Sequence, residues 1–429
     1  MVLHWWISGL IFIFTFALII SEKVHRTVAA LLGAVLMVAA GKIFSFYSEE
    51  KAFLAINLST LALLLAMMIL VALLRQTGFF QYLAVVTAQK SRGKPWVLLV
   101  SLGLVTAFVS MFLDNVTTVI LIAPLTIFIA DMLGLSPVPF LMAEALLSNI
   151  GGTATLVGDP PNILIASAAG LTFNQFLVHI APIVLIVLAA TVPLLLWIFR
   201  REIKAQPQNI KALFKMKPGE AITDRPGLKK TLLVLCGVIV LFFIHHQLHL
   251  EPSFVSLLGA AVALLWVRPD LNEILREVEW SVLLFFAALF VTVGGLESSG
   301  LLAAFSQKVA SLAVGNLLLA ALVLLWVSAI MSAIVDNIPF AMAMIPVILH
   351  LETQGINTTP LWWALALGVG FGGNGTPIGA TANVIVVSLS EKTRTPLRFK
   401  SWLKSGSLVM LLSCTVASLL FLLLFRFMK

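Results

Sequence analysis

Charge is what this chain most lacks. Only 11% of its 429 residues are Asp, Glu, Lys or Arg, and 60% are hydrophobic, whereas a soluble domain is about 25% charged. With a mean hydropathy of +1.08, a water-soluble fold of two or three domains is excluded and most of the chain belongs in a lipid bilayer. Cysteine is scarce too: Cys236 and Cys414 lie in apolar runs without metal-ligand spacing, which excludes a disulfide framework and a thiolate metal cluster. No glycine-rich segment ends in Lys-Ser/Thr, so a nucleotide-cradling loop is missing and ATP hydrolysis by the chain itself is not expected. With no zinc motif and no suitably spaced nucleophile and base, neither an enzyme nor a metal site is expected, and no cofactor.

What is present is a series of apolar runs, each near the roughly 20 residues that span a hydrocarbon core. The first, 2–20, has no basic flank before it and no small-residue cleavage site after it, which predicts a retained span rather than a signal peptide. The net charge of +8 marks topology rather than nucleic-acid binding. Its densest stretch, Arg200 to Lys230, is assigned to the cytoplasm by the positive-inside rule. Counting outward from that loop gives crossings near 2–20, 24–41, 53–74, 139–170 and 176–199 on one side, and 231–248, 253–267, 280–298, 361–390 and 402–425 on the other. Two further apolar pieces, 95–133 and 315–351, are each interrupted midway by a polar cluster and read as re-entrant hairpins, because irregular backbone is tolerated at membrane depth where protein surrounds it. This scheme puts 2 basic residues at 23–26, 4 at 75–94, 9 at 200–230, 2 at 268–276 and 5 at 392–404 on the cytoplasmic side, 22 of the 27 in the chain. Both termini are then predicted outside.

The two halves repeat. Asp114-Asn115 falls on Asp336-Asn337 at an offset of 222 (336 − 114), and Gly78 falls on Gly300 at the same offset. GGTATLVGDPPNILI from Gly151 falls on GGNGTPIGATANVIV from Gly372, an offset of 221 (372 − 151). An odd number of crossings per half makes the second copy inverted, and Gly/Pro breaks at matching places in inverted repeats point to a binding site at the bilayer midplane. The expected fold is therefore an all-α membrane protein of about ten transmembrane helices plus two re-entrant hairpins. The first repeat, 1–200, comprises scaffold helices 1–94, hairpin 95–133, broken helix 139–170 and helix 176–199. A basic linker, 201–230, leads to the second repeat, 231–429, with scaffold helices 231–298, hairpin 315–351, broken helix 361–390 and helix 402–425.

An aspartate at the centre of a membrane helix costs roughly 2.5–3.5 kcal/mol, yet Asp114, Asp159 and Asp336 all lie in apolar segments. Helix capping is one explanation: Asp114 and Asp336 each begin a half-helix, and Asp159 precedes Pro160. The other has half-helix N-termini aimed at a solute while unwound carbonyls hold a cation; the two are compatible. Because burial disfavours a charged carboxylate, these three are the ion-coupling candidates, for a proton or a sodium ion. Asn115, Thr117, Gly152, Thr153, Asn162, Asn337, Asn374, Thr376 and Asn383 are the solute-binding candidates, as donors, acceptors or close-approach positions. Asp159 faces Ala380 in the repeat and Thr153 faces Asn374, so the two halves of the site are not equal. Glu144 and Glu297 rank second. His245, His246 and His249 have the side chains of a metal site but fall at a span end, where an interfacial position is expected. Tryptophans 5, 6, 96, 280, 362, 363 and 402 fit an aromatic belt.

The strings FLDNVTTVILIAPLT, SNIGGTATLVGDPPNILIAS, VDNIPFAMAMIPVI and FGGNGTPIGATANV, in that order, resemble the two hairpin tips and two broken helices of the ion transporter superfamily, in its arsenite permease and sodium/proton antiporter branch, and the resemblance covers nearly the whole chain. It implies a homodimer in the cell inner membrane, in which a mobile unit (95–170 and 315–390) carries a small inorganic solute by an elevator motion. The dicarboxylate carriers have Ser-Asn-Thr at each tip, which this chain lacks. With no Arg or Lys in any of the four strings, the expected activity is proton-coupled efflux of arsenite and antimonite, with sodium/proton antiport as the alternative. An anion or dicarboxylate carrier, or a channel, comes behind both. Docking of a cytoplasmic ATPase on the 201–230 loop is allowed by the resemblance, but a solvated linker is the plainer expectation.

Overall fold

In the computed structural model, residues 2–21, 23–302, 304 and 315–428 are described. Residues 303, 305–314 and 429 of the second repeat lie outside that set. Every regular element among the described residues is a helix. The first half runs through α1 (Val2–Ser21), α2 (Arg26–Ile43), α3 (Glu49–Ala55), α4 (Leu58–Gln76), α5 (Phe79–Lys90), α6 (Pro95–Ser110), α7 (Asn115–Met132), α8 (Val138–Gly152), α9 (Pro160–Ala169) and α10 (Phe173–Ile198). A short α11 (Ile210–Lys215) sits in the linker. The second half contains α12 (Arg225–Ile244), α13 (Pro252–Val267), α14 (Leu271–Glu277), α15 (Trp280–Ser298), α16 (Leu317–Val335), α17 (Asn337–Thr353), α18 (Thr359–Gly372), α19 (Thr381–Glu391) and α20 (Phe399–Leu423). Among the described residues nine helices are long and apolar enough to cross a membrane; α6, α8, α13, α17 and α19 are apolar but shorter.

The repeat is visible contact by contact. A Cβ added to Gly151 would lie 2.2 Å from the carbonyl oxygen of Ala107, and one on Gly372 would lie 2.4 Å from that of Ala329, so in each half a glycine lets the broken helix press against the first hairpin helix. The Thr155 hydroxyl donates to the Met111 carbonyl, and the Thr376 hydroxyl to the Ala333 carbonyl. Pro124 in α7 and Pro346 in α17 sit at the same offset, each inside its helix.

The halves are also interleaved. Helix α2 packs on α15 and α13 on α4; α9 packs on α17 and α19 on α7. Each second half of a broken helix thus rests on the hairpin of the other repeat, which brings both sets of polar breaks to one place.

Some expectations are revised. The crossing at 53–74 divides into α3 and α4, because the Asn57 side chain accepts from the Thr60 N–H at 2.9 Å and starts a new helix. The segment 75–94, counted as loop, contains α5. The 201–230 linker is largely solvated, as expected, and is also tied down: the Gln208 N–H donates to the Leu133 carbonyl at 2.7 Å, Gln89 Nε2 to the Leu213 and Met216 carbonyls, and the Thr223 N–H to the Thr77 carbonyl. Trp362, Trp363 and Trp402 are fully buried rather than in an aromatic belt. Trp402 donates its indole N–H to the Asn374 carbonyl at 3.1 Å, a bond a lipid-facing ring would not make.

Candidate functional site

The chain breaks between α6 and α7, α8 and α9, α16 and α17, and α18 and α19 meet at the centre. Helix ends leave orphan N–H and C=O groups that need partners when no water is near, and here asparagine side chains supply them. Asn162 Nδ2 points at the carbonyls of Gly152, Thr153 and Thr155 (3.1, 3.3 and 2.9 Å). Its counterpart Asn383 donates to the carbonyls of Gly373 (2.7 Å) and Thr376 (3.0 Å). These two amides hold their own breaks in shape. So does Thr153, whose hydroxyl donates to the Asn149 carbonyl at 2.9 Å. Gly152 closes against the Gly158 backbone, where a Cβ would come within 2.8 Å of a carbonyl oxygen.

A second set of side chains joins the halves. Asn115 Nδ2 donates to Asn149 Oδ1 at 3.1 Å, and Asn149 Nδ2 donates to Asn374 Oδ1 and to Asn383 Oδ1, both at 2.9 Å. Asn374 Nδ2 goes on to the Leu146 carbonyl at 3.2 Å. Asn149 is thus the hub of an amide ladder from three of the four breaks. Sequence reasoning passed over it, because its repeat counterpart is Gly370 and no matched polar residue drew attention to it. Its place within the SNIGG string was the available signal.

The aspartates take three different roles. Asp114 is a conventional N-cap: its Oδ2 accepts from the Thr117 N–H (2.9 Å) and from the Thr117 hydroxyl (3.0 Å), while its Oδ1 is buried and unpartnered among the described residues. Thr117 therefore completes a cap. Asp159 occupies an N-cap position but makes no capping bond, contrary to expectation. Its carboxylate instead accepts from Asn337 Nδ2 of the other repeat at 3.1 and 3.3 Å. Asp336 accepts from the Asn337 N–H at 2.7 Å with φ +94° and ψ 149°, a conformation that costs a non-glycine residue about 1–3 kcal/mol.

That strained tip has a partner from outside the breaks. Arg26, the first residue of α2, places Nη1 3.6 Å from Asp336 Oδ2, donates to the Thr381 hydroxyl, and stacks over the Phe285 ring with 5.5 Å to its centroid. Charge counting had assigned Arg26 to a cytoplasmic loop; the repeat could not reveal it, since the counterpart position is Leu248. Asp159 is within electrostatic reach of both Asp114 and Asp336, yet among the described residues no three His, Cys, Asp or Glu side chains converge to hold a metal ion.

Two crevices lie at positions related by the repeat. One, of about 320 Å³, is lined by Arg26, Asp336 and Thr381 with apolar neighbours. The other, of about 380 Å³, runs past Ile163 to His245, His246 and His249. Val24 and Val384 of the first correspond through the repeat to His246 and Ile163 of the second. His245 is structural: its Nδ1 pairs with the Leu250 carbonyl at 2.8 Å, and its Nε2 accepts from the Phe173 N–H at 3.4 Å. Glu297 is exposed, in keeping with an interfacial position.

A multi-pass helical protein whose broken helices converge on a buried amide and carboxylate cluster is a membrane transporter in architecture, and comparison with known proteins agrees. The chain belongs to the CitMHS family, whose model, described as a citrate transporter, matches residues 16–368. It is 43% identical over 415 residues to a 46 kDa membrane protein of Mycobacterium leprae, covering 95% of this chain and 96% of that one. An uncharacterized transporter of Mycobacterium tuberculosis is 42% identical over 414 residues, with 95% and 96% coverage. The mouse P protein is 36% identical over 482 residues, covering 94% of this chain but 58% of the P protein. In fold the chain is similar to the YdaH transporter of Alcanivorax borkumensis, with a TM-score of 0.60 at 15% identity over 98% of each chain.

Proposed function

We propose that this protein is a proton-coupled secondary transporter of the cell inner membrane that exports a small, uncharged inorganic solute, arsenite or antimonite in its trihydroxide form, by moving hairpins and broken helices as one unit against the scaffold. The observation that carries the reading is the character of the central cluster. It offers amides, hydroxyls and carboxylates from both repeats, and its basic side chain, Arg26, is engaged by Asp336 and Thr381. A tricarboxylate such as citrate needs several uncommitted cations; a neutral trihydroxide needs hydrogen-bonding groups, and Asp114 Oδ1 and Asn115 Oδ1 are buried at the breaks without a partner among the described residues. Asp159, joined to Asn337 across the repeats, is the favoured carrier of the coupling proton, because a change in its charge acts on both halves at once. The two crevices at related positions support access from opposite faces, the arrangement that alternating access requires.

Sodium/proton antiport is the second reading, favoured by the presence of three carboxylates, Asp114, Asp159 and Asp336, at the breaks. The test is uptake into everted vesicles under an imposed pH gradient, with arsenite, sodium and citrate compared for wild type, Asp159→Asn and Asp336→Asn. Arsenite accumulation that collapses with the gradient and with Asp159→Asn is expected. Sodium-driven proton movement without arsenite flux would overturn the solute assignment, and citrate accumulation would overturn the argument from committed charge.

A further inference from the structure

Helix α8 carries a carboxylic acid that the central cluster does not use. Glu144 is completely buried. The Thr126 hydroxyl of α7 donates to its Oε1, and its Oε2 has no partner among the described residues. One turn further along α8 the Ser148 hydroxyl is also buried and unpartnered, and the next residue is Asn149, the hub of the amide ladder. On the facing helix α7, Thr126, Thr118 and Asn115 are all buried. A polar stripe, interrupted on α7 by the buried Ile122, therefore runs along the α7–α8 interface, with Glu144 about 7.5 Å along the helix axis from Asn149 at 1.5 Å per residue.

The repeat supplies an internal control. At the offsets established above, Glu144, Ser148 and Asn149 correspond to Leu365, Val369 and Gly370, while Thr126 and Thr118 correspond to Ile348 and Phe340. Leu365, Val369 and Ile348 are as buried as their polar counterparts. Hydrocarbon at these places serves the same packing in the second half, without the desolvation cost of burying a carboxyl group. The architecture therefore does not call for Glu144, Thr126 and Ser148. What a carboxyl offers that leucine does not is an exchangeable proton.

Resting on the proton-coupled reading, we infer that Glu144 is a second proton-binding site, linked along the α7–α8 stripe to the central amide and aspartate cluster. The stripe exists in one repeat alone, so it serves one face of the membrane. That face is the one carrying the α7–α8 turn, where Gln208 of the linker bonds to Leu133. Among the described residues charged neighbours do not account for Glu144. Helices α6 and α18, packed against α8, bear no ionisable side chain. Helix α7 bears Asp131, α10 His179, α19 Glu391, and α20 Lys400, Lys404 and Cys414. None of these is a partner of Glu144; the Thr126 hydroxyl is.

The test is infrared difference spectroscopy of the full chain in lipid nanodiscs, following the C=O stretch of protonated carboxyl groups as pH is stepped. Wild type is expected to show a titrating carboxyl band that is lost in Glu144→Gln, with about one proton fewer exchanged per chain. Thr126→Val, which removes the donor to Oε1, is expected to shift that band. An unchanged set of bands in Glu144→Gln overturns the inference; if that variant does not fold, an unshifted spectrum in Thr126→Val overturns it instead. Should vesicles show no proton-coupled flux while the Glu144 band still titrates, the functional reading falls and the proton site stands.

Discussion

Asn149→Ala is the perturbation that most directly tests whether the two halves are held together by amides. The substitution removes three hydrogen bonds, from Asn115 at 3.1 Å and to Asn374 and Asn383 at 2.9 Å. Polar bonds between membrane helices average about 0.6 kcal/mol, so the three together contribute about 2 kcal/mol. Truncation also leaves Asn374 Oδ1 and Asn383 Oδ1 without the partner each now has, and a buried unsatisfied group costs about 1–3 kcal/mol. Relaxation into the space left by the side chain recovers part of this, which makes about 3 kcal/mol a reasonable expectation. Chains of 150–250 residues lose about 2–4 °C of Tm per kcal/mol, and a larger chain loses less, so the apparent Tm should fall by on the order of 5 °C. The assay is thermal unfolding of purified protein followed by tryptophan fluorescence at a fixed scan rate, since membrane proteins of this size unfold irreversibly in many cases. Asn374→Ala should cost less, and the double variant less than the sum, because the two share a bond. A fall under about 1 °C with additive doubles would refute the ladder as a load shared across the repeats.

Gly151→Ala should destabilise the chain by about 1–3 kcal/mol, because the new methyl group meets the Ala107 backbone at 2.2 Å and not the end of a flexible side chain; Gly237→Ala, where nothing lies within 4 Å, is the control in the same unfolding assay. Arg26→Gln removes the counter-charge of Asp336, and breaking a partly buried pair leaves the strained tip unsupported. On a Cys236→Ser background, which removes the exposed native thiol, maleimide labelling of a cysteine introduced at Val335, buried in the crevice wall beside the tip, should quicken at least about threefold, the equivalent of roughly 0.7 kcal/mol in local opening. Equal rates in wild type and Arg26→Gln would show that the pair does not hold the tip.

Membrane residence, the repeat and the position of every break were legible in the amino-acid order. Each rests on local features: apolar run length, the offset of polar strings, and Gly, Pro and Asn where a helix must stop. Asn115, Asn337, Asn374 and Asp159 were found because repeat symmetry singles out polar residues that recur, or conspicuously fail to recur, at equivalent places. The same reliance on symmetry hid Asn149 and Arg26, which face Gly370 and Leu248 and so leave no matched signal. Nor could order along the chain separate residues that shape a break, such as Asn162, Thr153 and Thr376, from those that join the halves.

Only the tertiary structure decided those roles, because they depend on interleaving. With α9 resting on α17 and α19 on α7, Asp159 meets Asn337 178 residues away instead of capping its own helix, and Arg26 reaches a tip 310 residues distant (336 − 26). Local composition sets which groups must be satisfied in a bilayer; which partner satisfies them is set by how two copies of one unit cross.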